Sequence, residues 1–318
     1  MRVLHRSVGA VATALLLSAW LAGHETTRSL SAAASSLAPP SAAASDRQKT
    51  RPAPAVVFVG AGDIGVCGSP APEWTARLLD RIPGTVFTTG DNSQGDGSAA
   101  DYRQCYDPTW GRHRSRTFAT VGNHDWDGTG GLPYFDYFGA NAGPPGRGYY
   151  SFDLGAWHII SLNSNIAAGR GSRQYGWLEA DLAKSDAACT IAIWHHPLFS
   201  SGPHGGSPQM RDVWRLLDRA GAEIVLNGHD HIYQRFAPQD ADGRATPDGL
   251  RQFIVGTGGD TLYEEVTPRR NSEVLQKTTW GVLKLTLRAG GYDWEFVPID
   301  GMTFRDAGSA ACITAPAR

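Results

Sequence analysis

The sequence predicts an α/β (α+β) fold: a four-layer α/β-β/α sandwich in which two facing mixed sheets are flanked by helices. In the first half of the 318-residue chain, apolar strand-like runs alternate with segments of helical spacing, as they do in parallel βαβ units. In the last third, strand-like runs follow one another without intervening helices, which is typical of antiparallel sheet. Polar residues follow several of these runs, so we expect the functional site at the strand ends.

The first elements of the chain alternate strand and helix. Residues 55–61 form a continuous apolar run, as in a strand that is buried on both faces. Residues 72–79 have helical spacing, and residues 85–89 are rich in β-branched side chains, which favour a second strand. We predict a helix over 99–110 and a third strand over 117–121.

The middle of the chain contains an aromatic segment followed by further strands and helices. Residues 128–148 are rich in Gly, Pro and aromatic residues, so we expect an excursion near the cleft mouth whose aromatic side chains pack in the core. The remaining predicted elements are a hairpin (149–154 and 157–162), two helices (174–184 and 213–220) and five strands (189–194, 222–226, 253–257, 281–287 and 292–297).

The composition is that of a soluble globular protein. Hydrophobic residues make up 41% of the chain and charged residues 19%, which is enough for a core of useful size. The 29 Lys and Arg residues nearly balance the 31 Asp and Glu residues, giving a formal net charge of -2. Nothing in this balance favours binding to nucleic acid or to a membrane surface, and we expect neither. The oligomeric state is not indicated.

The N-terminal region resembles an export signal followed by a tether. Basic residues near the start precede an apolar stretch over 8–22, so we predict a signal peptide over 1–25. The alternative is an uncleaved membrane anchor, although a bilayer span needs roughly 20 apolar residues. Residues 26–54 are mostly Ala, Ser and Pro, which predicts a disordered linker before a domain over 55–318. We therefore expect a secreted, cell-surface or periplasmic protein without stable membrane insertion after signal cleavage.

Four cysteines favour two disulfides. Cys67, Cys105, Cys189 and Cys312 are an even number in a chain with an export signal, and their spacing is too wide for a Cys-x-x-Cys metal site. Three pairings are possible. We prefer Cys67 with Cys105 and Cys189 with Cys312, because the second bond would tie the tail to the sheet.

Six polar residues at predicted strand ends could together hold two metal ions. They comprise two carboxylates, one amide and three imidazoles: Asp63, Asp91, Asn123, His195, His229 and His231. A mixed oxygen and nitrogen set suits Zn, Mn or Fe rather than Ca, and a carboxylate commonly bridges two ions. Taken singly, each residue is more commonly a cap, a turn former or a structural histidine. Their joint occurrence in one chain favours the metal site.

Five sequence blocks make the resemblance to a known family specific. They resemble, in order, the signature blocks of the calcineurin-like metallophosphoesterase superfamily, and its purple-acid-phosphatase-like branch is the nearest: Gly62-Asp63-Ile64-Gly65, Gly90-Asp91-Asn92, Gly122-Asn123-His124-Asp125, His195-His196-Pro197 and Gly228-His229-Asp230-His231. The resemblance covers about residues 56–236. It implies two divalent metal ions (Fe, Mn or Zn), with Asp91 as the bridge. Asp63 and His231 would bind one ion, and the other would be bound by Asn123, His195 and His229.

The same resemblance implies roles for three further residues. His124 would contact the phosphate and protonate the leaving oxygen, and Asp125 would orient His124. His204 lies where this branch has a substrate-contacting histidine on a loop. The alternatives are that Asp125 only stabilises a turn and that His204 is simply solvated.

One departure from the branch concerns the ion bound by Asp63 and His231. Purple acid phosphatases have a tyrosine ligand three residues after the bridging Asp, and this chain has Gln94 there. Other branches have a histidine at the position of Gly65. This ion would therefore keep three protein ligands plus Gln94 or water, and we expect it to be the more weakly held.

The resemblance implies a metal-dependent phosphoric ester hydrolase acting on a small-molecule substrate. The leading hypothesis is an exported phosphatase that hydrolyses phosphomonoesters by in-line attack of a metal-bound hydroxide. One alternative is an extracytoplasmic phosphodiesterase or nucleotidase that uses the same site. A less favoured alternative is a non-catalytic protein that binds phosphoesters.

Overall fold

Residues 54–313 are described by the computed structural model. The predicted signal peptide and all of the predicted linker except Pro54 lie outside these residues. The predicted domain boundaries therefore remain predictions. Within residues 54–313, the chain forms two β-sheets and the helices that connect or cover their strands.

The first sheet combines parallel and antiparallel strands. Its six strands, in spatial order, are β13 (Ala307–Ala311), β12 (Gly291–Pro298), β11 (Gly281–Arg288), β1 (Val56–Ala61), β2 (Thr85–Thr88) and β3 (Thr117–Phe118). The strands β1, β2 and β3 are parallel, whereas β11, β12 and β13 pair antiparallel with their neighbours. Helical segments therefore connect the early strands, and a short turn connects β11 to β12.

The second sheet is also mixed. Its seven strands, in spatial order, are β10 (Ser272–Gln276), β8 (Tyr233–Phe236), β9 (Arg251–Val255), β7 (Ile224–Asn227), β6 (Cys189–Ile193), β5 (Trp157–Ser161) and β4 (Tyr150–Leu154). The strands β5, β6, β7 and β9 are parallel, so their carboxyl ends lie along one edge of the sheet. This edge carries several of the predicted ligands.

Six α-helices connect or cover the strands of the described chain. They are α1 (Ala71–Arg81), α2 (Ala99–Asp101), α3 (Asn123–Trp126), α4 (Leu132–Phe138), α5 (Arg173–Leu182) and α6 (Arg211–Ala220). The longest, α1, has a proline in its first turn, an acidic residue near its start and an arginine at its end, which all favour a helix at this place. Within 54–313, every helix is too short or too polar to cross a bilayer.

The two sheets pack face to face and share one core. The ring of Phe58 on β1 lies 4.7 Å from Phe87 on β2 and 6.4 Å from Phe152 on β4, in the opposite sheet. On the outer face of the second sheet, Leu178 of α5 and Trp214 of α6 pack in a separate apolar cluster with residues of β5, β6 and β7. The predicted sandwich of two facing mixed sheets flanked by helices is confirmed.

Several predicted elements differ in detail from those in the structure. The helix predicted over 99–110 is broken: α2 ends at Asp101, and a π-helical segment, Tyr102–Tyr106, follows it. The strand predicted over 117–121 ends at Phe118, because the backbone N–H of Thr120 donates to the side-chain Oγ1 of Thr88 on β2 rather than to a backbone carbonyl. Five further elements, α3, α4, β8, β10 and β13, were not predicted from the sequence.

Both disulfides have the preferred pairing. Cys67 is bonded to Cys105 with a Cα–Cα distance of 4.6 Å, and Cys189 is bonded to Cys312 with a Cα–Cα distance of 5.8 Å. Cys189 begins β6 in the second sheet, whereas Cys312 directly follows β13 in the first. The second bond therefore joins the end of the described chain to the opposite sheet, as expected.

Candidate metal centre

The structure brings all six predicted ligands to the carboxyl ends of strands in the two sheets. Asp63 and Asp91 follow β1 and β2 in the first sheet, and His195 and His229 follow β6 and β7 in the second. A hydrogen bond from Gly62 N–H to the Val255 carbonyl, 2.8 Å long, joins the two sheets at this place. The remaining two, Asn123 at the start of α3 and His231 before β8, complete the set.

Three of these residues have a backbone conformation that L-amino acids rarely adopt. Asp63, Asp91 and His229 have φ angles of 58°, 49° and 70°, and in 54–313 only one other non-glycine residue, Asn271, has a positive φ. The left-handed conformation costs roughly 1–2 kcal/mol for each such residue. Strain of this kind persists where the surrounding structure enforces it, and it is concentrated at functional sites. Its clustering supports a functional role for these three side chains.

Glycines at the strand ends allow the close approach of the carboxylates. A Cβ atom added to Gly228 would lie 2.6 Å from Oδ2 of Asp63, and one added to Gly122 would overlap Oδ1 of Asp91. Any larger residue would push these carboxylates away. This contact explains why Gly precedes Asn123 and His229 in the sequence blocks.

Asp91 and His195 form a buried pair at the centre of the site. Nε2 of His195 lies 3.0 Å from Oδ2 of Asp91, without the geometry of a hydrogen bond, while Nδ1 donates to the Thr89 carbonyl over 2.9 Å. Burial by itself would lower the pKa of His195, but the Asp91 carboxylate raises it to about 9. Burial would likewise raise the pKa of Asp91, and His195 holds it below its usual value. The pair therefore favours a positive charge between these atoms, carried by a proton or a metal ion.

Asp63 and His231 form a second pair beside the first. Oδ2 of Asp63 accepts the backbone N–H of His229 over 3.0 Å, and Oδ1 lies 3.4 Å from Nε2 of His231. Nδ1 of His231 donates to the Thr261 carbonyl over 2.9 Å, which turns Nε2 towards Asp63. Burial opposes the charged form of His231, but Asp63 raises its pKa to about 9. A further carboxylate, Asp260, was not predicted from the sequence, and its Oδ2 lies 3.8 Å from the same Nε2.

Buried polar atoms without hydrogen-bond partners test whether metal ions fit this site. Among the described residues, Oδ1 of Asp63, Oδ1 of Asn123 and Nε2 of His195 have no such partner. Leaving a buried polar atom unsatisfied costs about 1–3 kcal/mol. Each of the three is a ligand atom of a residue predicted to bind metal. The donor set and the unpartnered atoms therefore fit divalent ions.

Gln94 is hydrogen-bonded to the loop that follows Asp63. Its backbone N–H donates to the Gly65 carbonyl over 3.1 Å, so both residues that depart from the family pattern lie side by side. Its buried Nε2 has no partner within the described chain. Rotating the side-chain amide by 180° would put Oε1 of Gln94 in the position of Nε2. Of these two atoms, only Oε1 could bind a metal ion.

The structure adds His196 to the imidazoles of the site. The ring centroid of His229 lies 5.0 Å from that of His195 and 4.3 Å from that of His196. Burial, and then the neighbouring His195, lower the pKa of His229 to about 2 and that of His196 to about 3. Neutral imidazoles are the form that binds metals. His196 had no predicted role, although it is part of the His195-His196-Pro197 block that could have indicated one.

Asp125 and His124 are close in sequence but have different partners. Asp125 is buried, and its carboxylate accepts from Tyr102 OH (2.5 Å), the Gly122 N–H (2.8 Å) and the Asn92 side chain (2.9 Å). Nδ1 of His124 instead donates to the Gly95 carbonyl over 3.0 Å. The expected orientation of His124 by Asp125 is thus corrected: the Gly95 carbonyl orients the ring, because the Asp125 carboxylate is turned towards these three donors.

His204 lies at the mouth of the site. Its ring centroid is 4.4 Å from that of His229, and its backbone N–H donates to Oδ1 of Asp230 over 3.2 Å. The side chain is exposed, so it can meet a molecule that enters from solvent. Beside His124, a cavity of about 570 Å³ is also lined by Asn123, Asp96 and Asp127.

Comparisons with known proteins agree with this geometry. The family model described as calcineurin-like phosphoesterase matches residues 51–233. Purple acid phosphatase 18 of Arabidopsis thaliana is 31% identical over 236 residues, covering 67% of this chain and 52% of the relative. Purple acid phosphatase 21 of the same plant is 31% identical, covering 64% of this chain and 50% of the relative. This chain thus spans about half the length of these curated relatives.

The solved structures include a similar fold. A purple acid phosphatase, PPD1, isolated from yellow lupin (Lupinus luteus) seeds, superposes with a TM-score of 0.70 at 22% identity, covering 81% of this chain and 54% of that one. At this identity the likeness concerns the fold. The resemblance to the purple-acid-phosphatase-like branch is confirmed, and the family model covers more than half of the chain. The chain belongs to the calcineurin-like phosphoesterase family.

Proposed function

We propose that this protein is a metal-dependent hydrolase that cleaves phosphomonoesters with two divalent ions. The observation that carries the proposal is the group of unpartnered, buried ligand atoms on Asp63, Asn123 and His195. Atoms left unsatisfied in a protein interior need an explanation, and two ions, one bound by Asp63 and the other by Asn123 and His195, supply one. The purple acid phosphatase relatives support the same activity.

Ligand atoms of Asp63, Asp91 and His195 all lie within 4.8 Å of one another, close enough for Asp91 to share one ion with each of the other two residues, which supports Asp91 as the bridging ligand. Two atoms that bind one ion at about 2.1 Å, at right angles to each other, are about 3 Å apart. The separation of 3.0 Å between Asp91 Oδ2 and His195 Nε2 and that of 3.4 Å between Asp63 Oδ1 and His231 Nε2 fit this value. We therefore propose that Asp63 and His231 share one ion, and that His195, with Asn123 and His229, shares the other.

The two ions would lower the pKa of bound water towards neutrality and neutralise the phosphate charge. The chain itself supplies the proton for the leaving oxygen. Because Nδ1 of His124 donates to the Gly95 carbonyl, Nε2 is the nitrogen that can deliver a proton. The backbone N–H of the same residue donates to Oδ1 of Asp91 over 2.9 Å, which fixes the ring beside the proposed bridge. The adjoining cavity offers room for the leaving group.

We also propose that the protein is exported. Its two disulfides support this location, because disulfides persist mainly in oxidising compartments outside the cytosol. The apolar N-terminal stretch that predicts a signal peptide supports it as well. N-terminal sequencing of protein recovered from outside the cytoplasm would test both statements, and an unprocessed chain found only in the cytoplasm would contradict them.

The experiment that tests the activity combines metal analysis with a substrate comparison. Protein purified without chelator is analysed for Fe, Mn and Zn, and its rates on a phenyl phosphate monoester and on the bis-phenyl diester are compared. We expect about two ions per chain, faster hydrolysis of the monoester, loss of activity on chelation and rescue by Mn, Zn or Fe(II). Faster hydrolysis of the diester would favour the phosphodiesterase alternative. Full activity after exhaustive metal removal would contradict the proposal.

A further inference from the structure

Two loops meet at the mouth of the candidate metal centre. The loop over 200–208 carries His204, and the segment over 260–271 runs alongside it. Backbone N–H groups of Thr267 and Arg269 donate to the carbonyl and the hydroxyl of Ser201, over 2.8 Å and 2.9 Å. These bonds hold the two loops together next to His229 and His231.

Tyr263 occupies a fixed position where the loops meet. Its backbone N–H donates to the His231 carbonyl over 3.2 Å, and its ring stacks on the His231 ring with centroids 4.4 Å apart and planes inclined by 16°. Its hydroxyl lies 2.9 Å from Nε2 of His204. The half-buried phenol thus contacts both His231, a proposed metal ligand, and His204, a proposed substrate contact.

This arrangement determines which nitrogen of His204 is free. A phosphate oxygen is an acceptor, so His204 can bind it only through a nitrogen that carries a proton. The tyrosine hydroxyl occupies Nε2 and leaves Nδ1. When the phenol donates to Nε2, a neutral His204 must carry its proton on Nδ1, the form that can donate to phosphate.

We propose that Tyr263 is a positioning residue for phosphate recognition, which holds His204 in the orientation and tautomer that bind a phosphate group. This inference rests on the proposed function of the site, because it assumes that a phosphate group binds beside His229. The backbone bond to His231 and the ring stack keep the phenol in place before any substrate arrives. His204, by contrast, is exposed and would lose its ring orientation without this hydroxyl.

The test is a double-mutant cycle with Tyr263→Phe and His204→Ala. The phenylalanine keeps the stack on His231 and removes only the hydroxyl. We expect Tyr263→Phe to raise the KM for 4-nitrophenyl phosphate and the Kd of inorganic phosphate by about three- to tenfold, the value of one hydrogen bond. We expect kcat to change less than about twofold and the metal content to stay the same. In the His204→Ala background, removing the hydroxyl should change neither constant.

The matched control is Tyr175→Phe, which removes a phenol hydroxyl that Arg219 contacts, on a largely buried side chain of α5. It should leave KM and kcat unchanged. Phosphate binding to the metal-loaded protein is measured by calorimetry, so this arm does not depend on turnover. If the protein binds phosphate without hydrolysing any ester, the proposed activity fails and the inference about Tyr263 is still tested. The inference would be overturned if Tyr263→Phe bound phosphate as tightly as the wild type does, or if the wild type bound no phosphate. It would also be overturned if Tyr263→Phe had the same effect in the wild-type and His204→Ala backgrounds.

Discussion

Nε2 of His195 and Oδ2 of Asp91 lie 3.0 Å apart in the interior of the protein, and neither atom is turned to make a hydrogen bond with the other. Each side chain is fixed from behind. The Thr89 carbonyl holds Nδ1 of His195, and the backbone N–H of His124 holds the other oxygen of Asp91. Two such preorganised, desolvated ligand atoms at this separation would form half of the proposed metal site before any ion binds.

Asp91→Asn should remove this half-site. The amide is neutral and offers a single oxygen, so it cannot bridge two cations as a carboxylate does. We expect metal content to fall from about two ions towards zero and kcat/KM to fall on the order of a hundredfold or more. Metal analysis and assay of Asp186→Asn, a matched change at an exposed aspartate, provide the control. An Asp91→Asn protein that retained both ions would contradict the bridging role.

His124→Ala should separate proton donation from metal binding. An alkyl leaving group needs a proton, whereas 4-nitrophenolate leaves readily without one, so the loss should depend on the substrate. We expect kcat on an alkyl phosphate to fall by about 10²–10⁴-fold, with a smaller loss on 4-nitrophenyl phosphate and unchanged metal content. His158→Gln, a change at the opposite end of β5 from the site, should leave both rates unchanged. Equal losses on the two substrates would contradict the acid role.

Tyr102→Phe should reveal what Asp125 does. The tyrosine hydroxyl donates to the buried Asp125 carboxylate, which also accepts from Gly122 and Asn92 and so ties together the loops after β2 and β3. A hydrogen bond to a charged acceptor contributes about 1.5–3 kcal/mol, so we expect the free energy of unfolding to fall by that amount. Urea denaturation measures it. A large fall in kcat with unchanged stability would instead favour direct action of Asp125 on His124.

Much of the site could be predicted because its residues follow apolar runs directly. The strand before Asp63 is largely buried, and the glycines before Asn123 and His229 allow the close approach that the carboxylates require. Such signals are local in sequence. The fold class could be predicted from the same runs, because alternation with helices favours parallel strands and its absence favours antiparallel ones.

The parts that the sequence did not reveal depend on contacts between distant segments. Tyr263 carries no motif and reaches the site only because its loop is hydrogen-bonded to Ser201 and His231. The carboxylate of Asp125 accepts from Tyr102, which precedes it by 23 residues, rather than from its neighbour His124. The predicted helix over 99–110 is interrupted where Tyr102 and Tyr106 become buried. Tertiary packing overrides local propensity at each of these places.

His158 should make the stability of the protein depend on pH. The side chain is 8% exposed, with Nδ1 2.8 Å from Asp153 and Nε2 2.9 Å from Asp181. Burial opposes the charged form, but Asp181 and Asp153 raise the pKa of His158 above its usual value of 6.5. The folded protein therefore binds this proton more tightly than the unfolded chain does.

The direction of the effect depends on that difference. The contribution of His158 to the free energy of unfolding should be fully present below about pH 6.5 and should be lost as the pH rises through the higher folded-state pKa. Urea denaturation of wild type and His158→Gln between about pH 5 and pH 9 measures it, and the difference between the two proteins should shrink with increasing pH. A difference that grew with pH would contradict the raised pKa.

The bond between Cys189 and Cys312 should stabilise the packing of the two sheets. It closes a loop with a sequence separation of 123 residues and joins the start of β6 to the residue after β13. Cross-links over long loops restrict the unfolded chain most, and we expect Cys189→Ser/Cys312→Ser to lower the free energy of unfolding by about 2–5 kcal/mol. Because Cys189 lies at the start of its strand, away from the ligand edge, kcat at low temperature should be unchanged. Denaturation and assay of the double variant test both expectations. The Cys67→Ser/Cys105→Ser pair, whose sequence separation is 38, should lower the free energy of unfolding by less. An equal or larger loss from the shorter loop would show that local packing rather than chain entropy dominates.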